Sequence, residues 1–219
     1  MSTIKTMNSK EGISPARGTY RHGDLRRTLL EAGIEMARHG GPDAVVLREA
    51  TRQAGVVPNA AYRHFASQQA LLEAVRAHAL SAAAAMMEAE LANIGGSLSA
   101  ASSASESLRA VGRAYLRFAH AEPGLFRTAF AVQASTAEAA AAMSADGAPN
   151  PFRLLSAALD RLVAAGKLPA ARRAGAEYLA WSAVHGLALL VSDGPLHSMT
   201  AAERQAIEER LLDMVEKGL

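Results

Sequence analysis

The chain has 219 residues, half of them hydrophobic, with 23 Lys or Arg against 21 Asp or Glu and no cysteine. A chain of this size forms one large domain or two small ones and buries about 70% of its unfolded surface. Missing cysteines exclude disulfides, thiolate zinc sites and cysteine nucleophiles together.

No stretch approaches the ~20 uninterrupted apolar residues of a membrane span. The opening MSTIKTMNSKEG has no signal-peptide core. A soluble, cytoplasmic protein with no membrane contact is the expectation. Net charge is only +2, but it is unevenly distributed. Through Leu80 there are 11 basic against 7 acidic residues, and from Ser81 onward 12 against 14. The N-terminal third also holds four of the seven histidines, so positive potential gathers where a polyanion would bind.

In chain order, residues 1–20 are polar and periodless and read as a flexible arm. From Asp24, the positions Leu25, Leu29, Ala32 and Met36 share one helical face until Gly40-Gly41-Pro42 stops the run. Leu47 to Ala54 gives a short second helix ended by Gly55, and Pro58 opens a third that runs through Tyr62 to about His64. Phe65 is assigned to the core. Ser67 has the character of an N-cap for a long fourth helix carrying Leu71, Leu72, Val75, Ala79 and Met86. Ser103-Ala-Ser-Glu106 and Thr200-Ala-Ala-Glu203 both carry the spacing of a capping box and predict helix starts. Between them helical period recurs near 105–121, 124–133, 150–165 and 172–192, separated by Pro123, the loop around Asp146 to Pro151, and Leu168-Pro169. The alanine-rich piece from Ala131 to Ala145 is compatible with a helix extension or a connector. The sum is an all-α chain of about nine helices, with an N-terminal three-helix head at 21–66 and a helical body at 67–219.

Two short helices around a tight glycine turn, Leu47 to His64, have the form of a helix-turn-helix, in which the second helix enters the major groove and the first braces it. A generic αα-hairpin has the same pattern. The choice is sharpened by Tyr20-Arg-His-Gly-Asp-Leu-Arg26, Leu47-Arg-Glu-Ala-Thr-Arg-Gln-Ala-Gly-Val56, Ala61-Tyr-Arg-His-Phe65 and Ala70-Leu-Leu72. In order and spacing these resemble the TetR-like family of bacterial repressors across residues 18–80. The resemblance implies that Tyr62 and His64 contact phosphates, that Asn59, Ala60 and Arg63 face or flank the bases, and that Arg48 touches the DNA backbone. Asn59 suits adenine, and Arg63 suits guanine or phosphate. The chain departs from the family at Val46 and Val57, where Ser or Thr usually caps the second and third helices, and at Gln68, where lysine is usual. Weaker, less salt-sensitive operator binding is expected, aided by Arg17 and Arg21 from the arm in a minor groove.

Farther along, Tyr178-Leu-Ala-Trp181-Ser-Ala-Val-His185-Gly186-Leu187, with Phe118 to Phe126 and Phe130, resembles the Trp-His-Gly type of C-terminal domain in one branch of that family. It implies a body of five helices whose last two pair with those of a second subunit, as a homodimer reading an inverted-repeat operator in double-stranded DNA. Leu187, Leu190, Val191, Ile207, Leu211, Met214 and Val215 have the apolar spacing for that interface.

Trp181 and His185 lie one turn apart and either pack in the core or form the polar end of an apolar pocket with Phe118, Phe126, Phe130, Phe152 and Leu155. The few charges there favour a hydrophobic or aromatic small-molecule effector. No cofactor and no metal are expected, because His78, His120, His185 and His197 lack ligand spacing with carboxylates. Two rival readings are a DNA-binding regulator without an effector and an enzyme built on Ser182, His185 and Asp193. The second is disfavoured, since all three come from one helix and its end, with no oxyanion donors.

Overall fold

A computed structural model describes residues 22–96, 98–131 and 150–219 of the chain. Among the described residues there are nine α-helices, two single 3-10 turns and no strand.

The head begins with α1 (His22–Gly40), which buries Leu25, Leu29 and Ala37 along one face. A 3-10 turn at Pro42–Ala44 redirects the chain into α2 (Leu47–Gln53). The end of α2 is set by Gly55 at φ 66°, a left-handed conformation that costs a β-carbon residue energy and glycine none. There Gly55 N–H donates to Arg52 O at 3.2 Å and Val56 N–H to Thr51 O at 3.1 Å, the paired bonds that satisfy the last carbonyls of a helix. The turn delivers Pro58 to the first position of α3 (Pro58–Tyr62). That helix stops two residues short of the expected His64, because Arg63 already forms its closing turn. Ser67 then caps α4 (Gln68–Ala92), its hydroxyl accepting from Ala70 N–H at 3.1 Å.

The next helix starts earlier than the Ser103 box suggested. It is α5 (Ala100–Ala121), capped by Ser99, whose hydroxyl accepts from Ser102 N–H at 3.1 Å. Ser103 lies inside the first turn, and the Glu106 carboxylate pairs with Arg113 instead. Several serines here offer equivalent capping chemistry. Starting at Ser99 adds Ala100 and Ala101 to the helix, both strong helix formers. The chain continues through α6 (Pro123–Phe130), α7 (Pro151–Ala164), α8 (Ala176–Ser192) and α9 (Ala201–Gly218). At the start of α9 the expected capping box is present: Glu203 N–H donates to Thr200 Oγ1 at 3.3 Å, and Thr200 N–H to Glu203 Oε2 at 2.9 Å. Residues 132–149, which hold most of the alanine-rich piece, lie outside the described residues.

By length and composition α4 is apolar enough to cross a bilayer, yet its Leu71, Val75, Ala79, Ala83 and Met87 are buried inside the protein. It packs on α1, α5, α6 and α7. Fully burying residues such as Leu71 and Val75 contributes about 1.5–3 kcal/mol each. One continuous apolar cluster runs from Leu25 in α1 to Leu219 beyond α9, so the recognition end and the far helices share a core.

Candidate nucleic-acid interface and internal cavity

The α2–α3 unit presents its polar side chains outward. Arg48, Asn59, Tyr62, Arg63 and Gln68 are exposed, and Ala60 and His64 are half-buried. None of the side chains of Arg48, Asn59, Tyr62, Arg63, His64 and Gln68 has a hydrogen-bond or ion-pair partner among the described residues. Glu49 is the lone carboxylate between Leu47 and His64. Arg52 engages it at 2.6 and 2.9 Å and Gln53 at 3.1 Å, which holds its carboxyl down to about 2. The acid is thereby compensated locally, leaving Arg48 and Arg63 as uncompensated cations on the surface, the condition for attracting phosphate.

Beneath that surface Ala61 and Phe65 are buried. The Arg26 guanidinium sits 4.7 Å from the Phe65 ring centroid, fastening α1 to the end of the hairpin. Neither Val46 nor Val57 makes a side-chain cap hydrogen bond, as the departures from the family pattern implied. Arg17 and Arg21 lie outside the described residues.

Inside the body is a cavity of about 230 Å³. Its walls come from α4 (Arg76, Leu80, Met87), α5 (Leu108, Gly112, Tyr115), the end of α6 (Ala129, Phe130), α7 (Phe152, Leu155), α8 (Trp181, Val184, His185) and α9 (Leu212, Val215). Five of the seven residues expected at a pocket therefore line one cavity: Phe130, Phe152, Leu155, Trp181 and His185. Phe118 and Phe126 do not. Both are fully buried in the core, and Phe126 packs edge-on to Tyr115 at 5.6 Å. Core burial and cavity lining are a distinction that apolarity alone does not carry.

Tyr115, absent from the sequence expectation, organises the polar end. Trp181 Nε1–H donates to Tyr115 Oη at 3.1 Å, and Tyr115 Oη lies 2.7 Å from His185 Nδ1. Phe130 stacks at 5.5 Å from Tyr115 and 5.2 Å from His185. Burial raises the Tyr115 hydroxyl far above its ordinary range and lowers the His185 imidazole, so both are neutral near pH 7. The i, i+4 spacing of Trp181 and His185 was the sequence signal for this cluster; their partner 66 residues upstream had none.

Arg76 joins the cavity to the head. It lines the wall from α4, and its Nε–H donates to Ala129 O at 2.9 Å, beside Phe130. At the opposite end of α6, Gly124 abuts α1 so closely that a Cβ there would stand 2.2 Å from the carbonyl oxygens of Ala37 and Arg38. Glu122 adds an ion pair to Arg38 at 2.8 Å.

The residues expected at a subunit interface divide into two sets. Leu190, Ile207 and Met214 are exposed, at 43%, 37% and 58%. Leu187, Val191 and Val215 are buried within the chain, and Leu211 packs partly on the core. Val215 lines the cavity. On an α-helix neighbouring positions point about 100° apart, so an apolar run on α8 serves two faces. The outward one also carries Leu179 and Leu189, which sequence reasoning missed, with Gly186 between them.

The three enzyme candidates do not assemble. Ser182 is exposed, Asp193 is held by Arg127 at 2.9 Å, and His185 Nδ1 is occupied by Tyr115.

This arrangement, a basic helix-turn-helix on a helical body with an internal cavity, agrees with comparisons to known proteins. Residues 29–75 match the family model for bacterial regulatory proteins, tetR family, and residues 108–215 match that for the tetracyclin repressor-like C-terminal domain. The chain belongs to the tetR family, whose members are DNA-binding transcription regulators.

No match is found among curated proteins. Among solved structures, a protein of unknown function from a Rhodococcus species is similar at 25% identity and a TM-score of 0.71, covering 92% of this chain and 98% of that one. The tetR-family transcriptional regulator PfmR from Thermus thermophilus matches at 21% identity and 0.58, covering 87% and 98%. A member of the same family from Streptomyces coelicolor matches at 19% identity and 0.50, covering 88% and 90%.

Proposed function

We propose that this regulator is a cytoplasmic repressor that holds a palindromic operator as a homodimer and releases it when a small hydrophobic or aromatic effector enters the cavity. The observation that carries the reading is Arg76: one side chain on α4 both lines the cavity and grips the end of α6 at Ala129. Helix α4 begins six residues after the recognition helix α3 ends, so a change in its tilt moves the DNA-reading surface. A ligand shifts that equilibrium only by binding one tilt better than the other. A cavity walled by α4, α6 and α8 supplies such a difference.

Residues 21–66 act in this reading as the DNA-binding head, with Arg48, Tyr62, His64 and Gln68 on phosphates and Asn59, Ala60 and Arg63 at the bases. Residues 67–219 act as the sensing and dimerising body. The outward stripe of Leu179, Leu189, Leu190, Ile207 and Met214 supports pairing through α8 and α9 in a four-helix interface. Two-fold symmetry then sets the heads about one helical turn, ~34 Å, apart.

The test is a gel shift with the inverted repeat nearest the protein's own coding region, with salt titrated. Replacing Gln68 by Lys should steepen the salt slope by about one unit, one added phosphate contact. No preference for any duplex sequence at low ionic strength rejects the reading. An aromatic compound that quenches the single tryptophan, Trp181, and frees the operator supports the sensor half.

A further inference from the structure

The hydrogen-bond chain at the polar end of the cavity fixes which way His185 is protonated. An indole N–H donates and never accepts, so Tyr115 Oη is the acceptor at 3.1 Å from Trp181 Nε1. Tyr115 is 3% exposed, and Trp181 and His185 are its hydrogen-bond partners among the described residues. Its own O–H therefore has one acceptor within reach, His185 Nδ1 at 2.7 Å. The reverse arrangement, with His185 Nδ1–H donating, would leave the phenol proton buried and unpaired, which its lost hydration penalises. A neutral imidazole whose Nδ1 accepts carries its proton on Nε2. Among the described residues that Nε2–H has no protein partner, and His185 lines the cavity.

The rest of the lining points the same way. Among the described residues no Asp or Glu lines the cavity. Arg76 lines it with its Nε tied to a carbonyl and no other partner among the described residues, and Arg109 is occupied by Glu209 and Glu216 at 2.9 and 3.3 Å. Among the described residues the wall thus offers N–H donors and positive charge with no acidic group, around aromatic surfaces from Phe130, Phe152 and Trp181. A volume of about 230 Å³ exceeds the ~150 Å³ of a cavity that holds benzene.

We infer that the ligand class of this cavity is an aromatic carbonyl compound of one or two rings, its carbonyl oxygen accepting from His185 Nε2–H and its rings lying among Phe130, Phe152 and Trp181. The inference rests on the cavity being the effector site of the proposed function, and it excludes cationic amines. An aromatic cage would by itself attract them, but the Arg76 guanidinium repels them, and no carboxylate among the described lining residues offsets it.

The test uses the full-length wild-type protein at about pH 7.5, where His185 is neutral, and three probes of one shape titrated by calorimetry. These are 2-acetylnaphthalene, its isostere 2-isopropenylnaphthalene, which lacks the acceptor, and 1-(2-naphthyl)ethylammonium. The ketone should bind at least about tenfold more tightly than the alkene, because the alkene leaves a buried donor unpaired. The ammonium should bind more weakly than both. In His185→Phe the ketone and alkene should become equal within about threefold.

Because that variant alters a packed cluster, nitrogen-15 spectra of wild-type protein provide an independent readout: His185 should show Nε2 protonated and Nδ1 as acceptor. Equal binding of ketone and alkene by wild type, tightest binding by the ammonium, a proton on Nδ1, or no probe binding in protein that still binds operator would each overturn the ligand class. Those results leave the DNA-binding reading standing. The expected order of affinities without operator release upholds the ligand class and defeats the effector role instead.

Discussion

Gly124 and Ala37 touch backbone to backbone: the position where a Gly124 Cβ would stand is 2.2 Å from the Ala37 carbonyl oxygen. Nothing larger than hydrogen fits, and the obstacle is main chain that cannot rotate away. Gly124→Ala should force α6 off α1 and destabilise the fold by about 1–3 kcal/mol, as overpacked sites do. At this chain length that lowers the melting temperature by roughly 2–4 °C per kcal/mol. An unchanged melting curve by circular dichroism would show that the two helices separate at no cost.

Gly186 is the opposite case, with nothing within 4 Å of its would-be Cβ. It sits among Leu179, Leu189 and Leu190 on the outward stripe. Gly186→Arg should leave helical content intact and convert the protein to monomers, seen as halved mass by light scattering. Met214→Arg on α9 should do the same. If both variants keep the wild-type mass, the proposed pairing through α8 and α9 is wrong.

Val57 precedes α3, is 69% exposed and supplies no cap. Val57→Thr adds an acceptor for an orphan amide at the start of the recognition helix, and little packing is lost. It should stabilise the protein by about 0.5–1 kcal/mol and tighten operator binding. Lower stability after the exchange would mean that valine makes a contact of greater worth than the cap.

Arg48→Ala and Arg63→Ala remove cations without carboxylate partners among the described residues, so neither should lower the melting temperature by more than a few degrees. Each should weaken DNA binding. A phosphate contact flattens the salt slope by about one unit when lost, whereas a base contact costs about 1–3 kcal/mol and relaxes preference at one base pair. The two variants therefore assign each arginine to backbone or base.

His185 ties stability to pH. Burial lowers its imidazole below the ordinary value, while the unfolded chain takes up a proton near 6.5. Below that point the unfolded state binds more protons than the folded one. Stability should accordingly be full above about pH 6.5 and fall as pH drops toward the folded value. The charged groups that line the cavity with His185 are, among the described residues, Arg76 and Arg109, with no carboxylate there to favour the imidazolium. His185→Gln, which retains an acceptor for Tyr115, should show a flatter decline in denaturant midpoint between about pH 7 and 5. An identical slope would remove His185 as the titrating group.

The helices were legible because their signals are local. Gly55, Pro58, Ser67 and Thr200 each announce a boundary within four residues, and the structure uses all four. The Ser103 start failed where many serines compete for one cap and local chemistry does not rank them. The pocket was half legible for a related reason. Trp181 and His185 stand one turn apart in sequence, whereas Tyr115 meets them only through the packing of α5 on α8. Periodicity placed Leu187, Val191 and Val215 on an apolar side without saying whether that side meets the chain's own core or another surface. That choice is made by the neighbouring helices, so it is visible only once they are in place.

The apolar cluster that runs unbroken from Leu25 to Leu219 means that the proposed boundary at residue 66 is not one of folding. Leu71 and Val75, on the far side of that boundary, are the floor on which α1 rests through Gly33. A fragment ending at residue 66 would lose that floor from beneath Gly33. The DNA-reading hairpin is therefore not a detachable module, and heat or denaturant should dissolve it together with the helices behind it in a single cooperative step.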